Sequence, residues 1–170
     1  LRIGLHGAEP WSEALRAEVS WERKHFKLRT FAQRAGGNFV AFGNPAIVGD
    51  RMTYNAQLGL YPVSWYSMNA GADQYQDNLT NNPNKTTTTQ RILTMSHSFQ
   101  LPTATSIGLS GSLNTAKGKP SSVLNNQTTT IGLAVGQVIK QHSLSFNAQS
   151  SQFRDKNALA HNLDTLTVGF

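Results

Sequence analysis

Five histidines are the residues best suited to metal or acid–base chemistry: His6, His25, His97, His142 and His161. None stands in the HxH, HxxxH or HExxH spacing that would aim two imidazoles at one ion. They read as isolated polar side chains, and no metal site is assigned. The chain has no cysteine, which excludes disulfides, thiolate ligands and a thiol nucleophile. Serine is abundant, but no G-x-S-x-G elbow marks one as a nucleophile. "GLSGSLN" (108–114) lies in a strand pattern, without the helix that a phosphate loop needs. No catalytic or cofactor-binding residue is assigned, no cofactor is implied, and an enzyme is not expected. The triplets at Asn78, Asn84 and Asn126 fit a glycosylation signal, which a chain rich in Asn and Thr produces by chance.

The charges are more informative. The net charge is +6, yet the basic residues do not cluster as a nucleic-acid reader requires. Seven of the fifteen Lys and Arg precede position 35, with Glu9, Glu13, Glu18 and Glu22 among them. From Asp77 to Asp155 there is no acid between, and the only cations are Lys85, Arg91, Lys117, Lys119, Lys140 and Arg154. No nucleic-acid partner is expected.

These side chains must be carried by strands. Leu15, Ala17, Val19 and Trp21 alternate with Arg16, Glu18, Ser20 and Glu22. "SEAL" resembles a capped helix start, so a helix stays open as a rival there. Phe26, Leu28, Thr30 and Ala32 oppose Lys27, Arg29, Phe31 and Gln33, and similar stripes recur to Leu166, Val168 and Phe170. The template fits roughly ten strands in one domain spanning 1–170. Tight turns are expected around Lys24-His25, Leu60-Tyr61-Pro62, Leu101-Pro102-Thr103 and Ile139-Lys140-Gln141. Long polar connections, such as "QDNLTNNPNKTTTT" and "TAKGKPSSVLNNQ", alternate with them. Such alternation places short turns at one end of an up-and-down antiparallel sheet and long loops at the other.

Charged residues make up 14% of the chain, against roughly 25% in ordinary soluble domains. The face opposite the apolar stripes is Ser, Thr, Asn, Gln and Gly. That suits a crowded polar interior with the stripes turned to lipid, a solvent that forces the sheet to close without a free edge. No run is long enough for a membrane helix.

The chain resembles the transmembrane β-barrels of the Gram-negative outer membrane. The resemblance covers most of the chain and is sharpest at its end, "LTVGF", which finishes on an aromatic. It implies an all-β, up-and-down antiparallel transmembrane barrel in the cell outer membrane. Leu166, Val168 and Phe170 would be the C-terminal signal for the outer-membrane assembly machinery. Tyr54, Tyr61, Trp65, Tyr66, Phe99 and Phe146 would be aromatic-girdle residues, and His97 would lie near a membrane interface. Arg16, Glu18, Glu22, Lys27 and Arg29 would face the lumen, as a paired ladder or as a charge ring that selects solutes. The expected partners are membrane lipid and other chains of a membrane complex. Because Leu1 opens in mid-strand without a signal peptide, the chain reads as the C-terminal portion of a larger barrel or one chain of an assembly. The implied role is a pore, an export or secretion channel component, or a structural anchor. The alternatives are a soluble antiparallel barrel or sandwich that binds through its long loops, and a surface-fibre subunit.

Overall fold

The computed structural model describes residues 2–6, 14–39, 48–157 and 161–170. Leu1 and residues 7–13, 40–47 and 158–160 lie outside them. Ten strands are present: β1 (Arg2–His6), β2 (Ala14–Arg23), β3 (Phe26–Ala35), β4 (Arg51–Val63), β5 (Tyr66–Asp77), β6 (Thr87–Leu101), β7 (Thr105–Lys119), β8 (Asn125–Ile139), β9 (His142–Asp155) and β10 (Leu163–Gly169). They form one sheet in sequence order, β1 to β10, each pairing antiparallel with the next. The segment that could be drawn as a helix is a β2–β3 hairpin, since period two places its apolar residues on one side.

The sheet is open. Among the described residues β1 pairs only with β2 and β10 only with β9, so the expected barrel does not close within this chain. Strand length supplies the reason. β1 has 5 residues and β10 has 7, against 15 in each of β6, β7 and β8. A joint between two such short edges would satisfy few of the backbone groups that a closed wall must pair.

The connections alternate as expected. Lys24-His25, Ser64-Trp65, 102–104 and Lys140-Gln141 are tight, and 36–50, 78–86 and 156–162 are longer. The turn expected at Leu60-Tyr61-Pro62 is displaced to Ser64-Trp65. Leu60 faces Met68 and Val63 faces Tyr66, so β4 carries an extra residue in a bulge. Pro62, which donates no hydrogen bond, is tolerated there without ending the strand. The Tyr61 N–H extends the β3–β4 ladder by one step, donating to His25 O at 2.9 Å. The polar connection after β7 is shorter than its composition suggests, because the strands run to Lys119 and restart at Asn125.

The β6–β7 turn is a three-residue loop whose last member, Ala104, has φ 55°. Hairpins of this length place their final loop residue in the left-handed region, where a side chain costs about 1–2 kcal/mol. Ala104→Gly should therefore stabilise the protein by about 1 kcal/mol or somewhat less, after the added freedom of the unfolded chain is set against the relief. Denaturant unfolding would read this as a raised midpoint with an unchanged slope; a lowered midpoint would contradict it.

Candidate functional site

The register sorts the side chains into two faces. One row runs Trp21, Leu28, Leu58, Ala70, Met95, Gly111, Ile131, Ser150, Leu166 across nine strands. The next runs Arg23, Phe26, Leu60, Met68, His97, Leu109, Leu133, Ala148, Val168. Apolar residues thus form a continuous band on one face. Nothing in the described chain covers it: Trp21 is 53% exposed, Ile131 65% and Leu166 73%, and no large side chain is fully buried. Along β6 the band extends from Leu93 to Leu101, about 27 Å of strand at ~3.4 Å per residue. Tilted by about 40°, that is about 20 Å of height, comparable with the roughly 25 Å apolar belt of a membrane barrel.

Aromatic rings gather at the tight-turn end of this face. Trp65 stacks on Phe99 with centroids 6.5 Å apart, and Tyr66 lies 4.9 Å from Phe99. Trp21 meets Phe26 edge-on at 5.4 Å, and Phe146 meets Phe170 at 5.4 Å. Of the six residues read as girdle positions, Trp65, Tyr66, Phe99 and Phe146 lie in this row. Tyr54 is on the same face toward the long loops, where its hydroxyl reaches Met52 Sδ at 3.2 Å.

Tyr61 is on the opposite face, a correction to the girdle reading. Alternation after Leu60 turns it over Gly59, where an added Cβ would come within 3.0 Å of the Tyr61 hydroxyl. The ring fills the space that the glycine leaves. Trp21 and Phe26 were not singled out as girdle residues. Their place beside the Lys24-His25 turn was the signal for them, since an aromatic at a strand end beside a tight turn falls at the rim of an apolar band.

His97 interrupts the band but is not left unpaired. Its Nδ1 lies 2.8 Å from the Tyr66 hydroxyl, and the two rings stack at 6.0 Å. A polar pair satisfied within itself can sit on an apolar surface.

The opposite face holds the five charges singled out above, all on β2 and β3. Glu18 is the hub, 2.9 Å from Arg16 and 2.8 Å from Arg29, with Lys27 2.6 Å from Glu22. Arg16 also donates to Gln33 at 3.0 Å and lies 4.0 Å over the Phe31 ring. The ladder continues into β4 and β5 through Asn55, which donates to Asp73. From β6 to β8 the same face is mostly Ser, Thr, Gly, Asn and Gln, with Ile92, Ala116, Ala134 and Val138 among them. These residues pack closely enough that a Cβ on Gly132 would meet Ser110 Oγ at 2.6 Å. A concavity of about 680 Å³ on this face joins the two walls, with Glu22, Lys27 and Arg29 on one side and Ser96, Ser110 and Thr130 on the other.

The long-loop end is organised by Asn78, in the left-handed region and only 5% exposed. Its amide donates to Asn82 O and Lys85 O and accepts from the Asn82 N–H at 2.8 Å. The amide nitrogen of that glycosylation-like triplet is therefore committed to the loop. Among the described residues no group of three His, Asp or Glu could hold a metal ion. Leu166, Val168 and Phe170 end the apolar face at β10, with Phe170 95% exposed.

Comparison of the chain with known family models, curated proteins and solved structures finds no match to any of them.

The His97–Tyr66 pair can be tested by its asymmetry. Removing one partner leaves a polar group without its bond, whereas replacing both by apolar groups of similar shape removes the need for it. Tyr66→Phe should destabilise the protein by about 1 kcal/mol, and adding His97→Leu should recover most of that loss. A double-mutant cycle in denaturant measures the coupling; additive effects would show that the contact contributes nothing.

Proposed function

We propose that this chain is a wall of a membrane-embedded antiparallel β-barrel of the outer membrane, with the apolar band toward lipid and the charged ladder toward a polar interior. One observation carries the reading: a single-layered sheet has one continuous apolar face, and among the described residues no second layer buries it. In water each exposed Leu, Ile or Phe forgoes about 1.5–3 kcal/mol of burial, and a soluble sandwich would recover that by packing a second sheet on the first. Lipid recovers it without a second sheet.

The turn-end row of Trp65, Tyr66, Phe99 and Phe146 supports an interfacial girdle, and the exposed Leu166, Val168 and Phe170 suit a terminal assembly signal. Closure is completed by strands beyond the ten, since β1 and β10 are too short to join the long strands by themselves. As wall, the chain contributes to a pore, an export channel or an anchor without catalysis. Its lumen would be lopsided, with charges on β2–β5 and small neutral residues on β6–β8.

Vesicle flotation tests the membrane reading. The folded protein should float with phosphatidylcholine vesicles, its tryptophan emission shifted to the blue and quenched by brominated lipid. A detergent-free, monodisperse protein with its sheet intact and no quenching would reject it. For the lumen assignment, bilayer recordings of a conducting form should show reduced anion preference for Lys27→Glu with Arg29→Glu. Unchanged selectivity would place these two residues away from the conduction path.

A further inference from the structure

Charge on the apolar face is distributed unevenly between its two ends. Among the described strand residues whose register puts them on this face, the one acid is Asp164 of β10, and it pairs with Arg154 at 2.5 Å. Above the apolar band, toward the long loops, lie Arg91 of β6 and Lys117 and Lys119 of β7, all exposed.

Their register neighbours are neutral. Arg91 sits between Gln74 and Thr115, Lys117 between Thr89 and Asn125, and Lys119 beside Thr87. Arg91 Nε donates to Gln74 Oε1 at 2.7 Å, and no acid of these strands meets the three cations. Arg91 faces Thr115, so Lys117 is its diagonal neighbour, within the ~7–8 Å spanned by diagonal pairs on one face. Immediately below come Leu93 and Leu113, in the row that Ala72 and Ala56 continue toward Val19. Cations and apolar floor line one groove of about 1180 Å³; Asp73, an acid of the opposite face that accepts from Asn55, also borders it.

We infer that Arg91, Lys117 and Lys119 form a docking surface for the phosphate headgroup of an anionic membrane lipid, whose acyl chains lie on the Leu93–Leu113 floor. Charge complementarity selects this occupant. Three cations without acidic partners select a phosphate, and the apolar floor beneath them selects an amphiphile over a soluble anion. The register that creates the cluster is a property of the β6–β7 hairpin, so it persists when further strands complete the wall. The inference rests on the membrane reading above, because the headgroup is reached only when the apolar band is immersed.

The test uses the full chain reconstituted into phosphatidylcholine vesicles carrying traces of spin-labelled phosphatidylglycerol or spin-labelled phosphatidylcholine. The fraction of each label held immobile at the protein surface is read by electron paramagnetic resonance. Phosphatidylglycerol should be preferred about fivefold or more, as expected if a surface cation contributes about 1 kcal/mol. The preference should fall toward unity in about 1 M salt, where the screening length is about 3 Å. It should be lost in the triple variant Arg91→Gln, Lys117→Gln, Lys119→Gln and kept in Lys117→Arg with Lys119→Arg. Equal immobilisation of both lipids by the unaltered protein, or a full preference in the triple variant, overturns the docking surface and leaves the membrane reading standing. Immobilisation of neither lipid overturns both. If the triple variant does not fold, the salt titration of the unaltered protein decides, and a salt-insensitive preference counts against the inference.

Discussion

The backbone hydrogen-bond ladder is the interaction on which everything else in this protein depends. In an ordinary domain the ladder and a packed core share the work. Here Ala35 is the only apolar residue that is buried among the described ones, and no large side chain is fully covered. The strands are held edge to edge by paired N–H and C=O groups, and the side chains add only what neighbours on one face can give. A ladder is strongest where no competing hydrogen-bond partner is present, so a surrounding of lipid would make its rupture more costly than water does.

That constraint explains the division of labour between the faces. On the apolar side, contacts between rings and aliphatic groups run from strand to strand, and His97, a polar residue within the band, is matched by the Tyr66 hydroxyl. On the other side Glu18 ties two arginines, one from its own strand and one from β3, and so stitches the β2–β3 pair laterally. Farther along, where β6, β7 and β8 lie together, the stitching gives way to close packing of Ser against Gly, as between Ser110 and Gly132. Two different chemistries thus brace the same ladder. Bulky ion pairs occupy space in front of the first hairpins, and small residues leave space in front of the later ones.

Much of this was legible in the sequence, because period two is a property of the residues themselves. The assignment of Arg16, Glu18, Glu22, Lys27 and Arg29 to one face and of Leu15, Ala17, Val19 and Trp21 to the other needed only alternation, and the pairing of β2 with β3 preserves it. Tyr61 obeys alternation too, since it follows Leu60 and falls on the face of Gly59; the girdle reading took its ring chemistry over its parity. The turn was misplaced because Pro62 marks a bulge and a turn with the same letter. Closure was also beyond reach, since it depends on the lengths of the two edge strands relative to their neighbours. The Trp21–Phe26 contact needed register as well as pattern, because the two rings belong to different strands.

The open edges and the uncovered face pose one physical problem. An apolar face can be buried by a second layer, by a membrane or by another copy, and each solution makes a different demand on the opposite face. A second layer asks for a charged, solvated outer surface, yet β6 to β8 present Ser, Thr and Gly there. Stacking with another copy through the apolar bands would bring Arg91, Lys117 and Lys119 of both copies toward one apolar seam, with Asp164 already engaged by Arg154. A membrane asks for a band of limited height, bounded by aromatic rings at one end and by polar, cationic residues at the other, with small or paired polar groups behind it. Trp65, Tyr66 and Phe99 bound the band at the tight turns, and Arg91, Lys117 and Lys119 bound it toward the long loops. The two edge strands then become the place where the wall continues, because lipid would leave their unpaired backbone groups unsatisfied until another strand meets them.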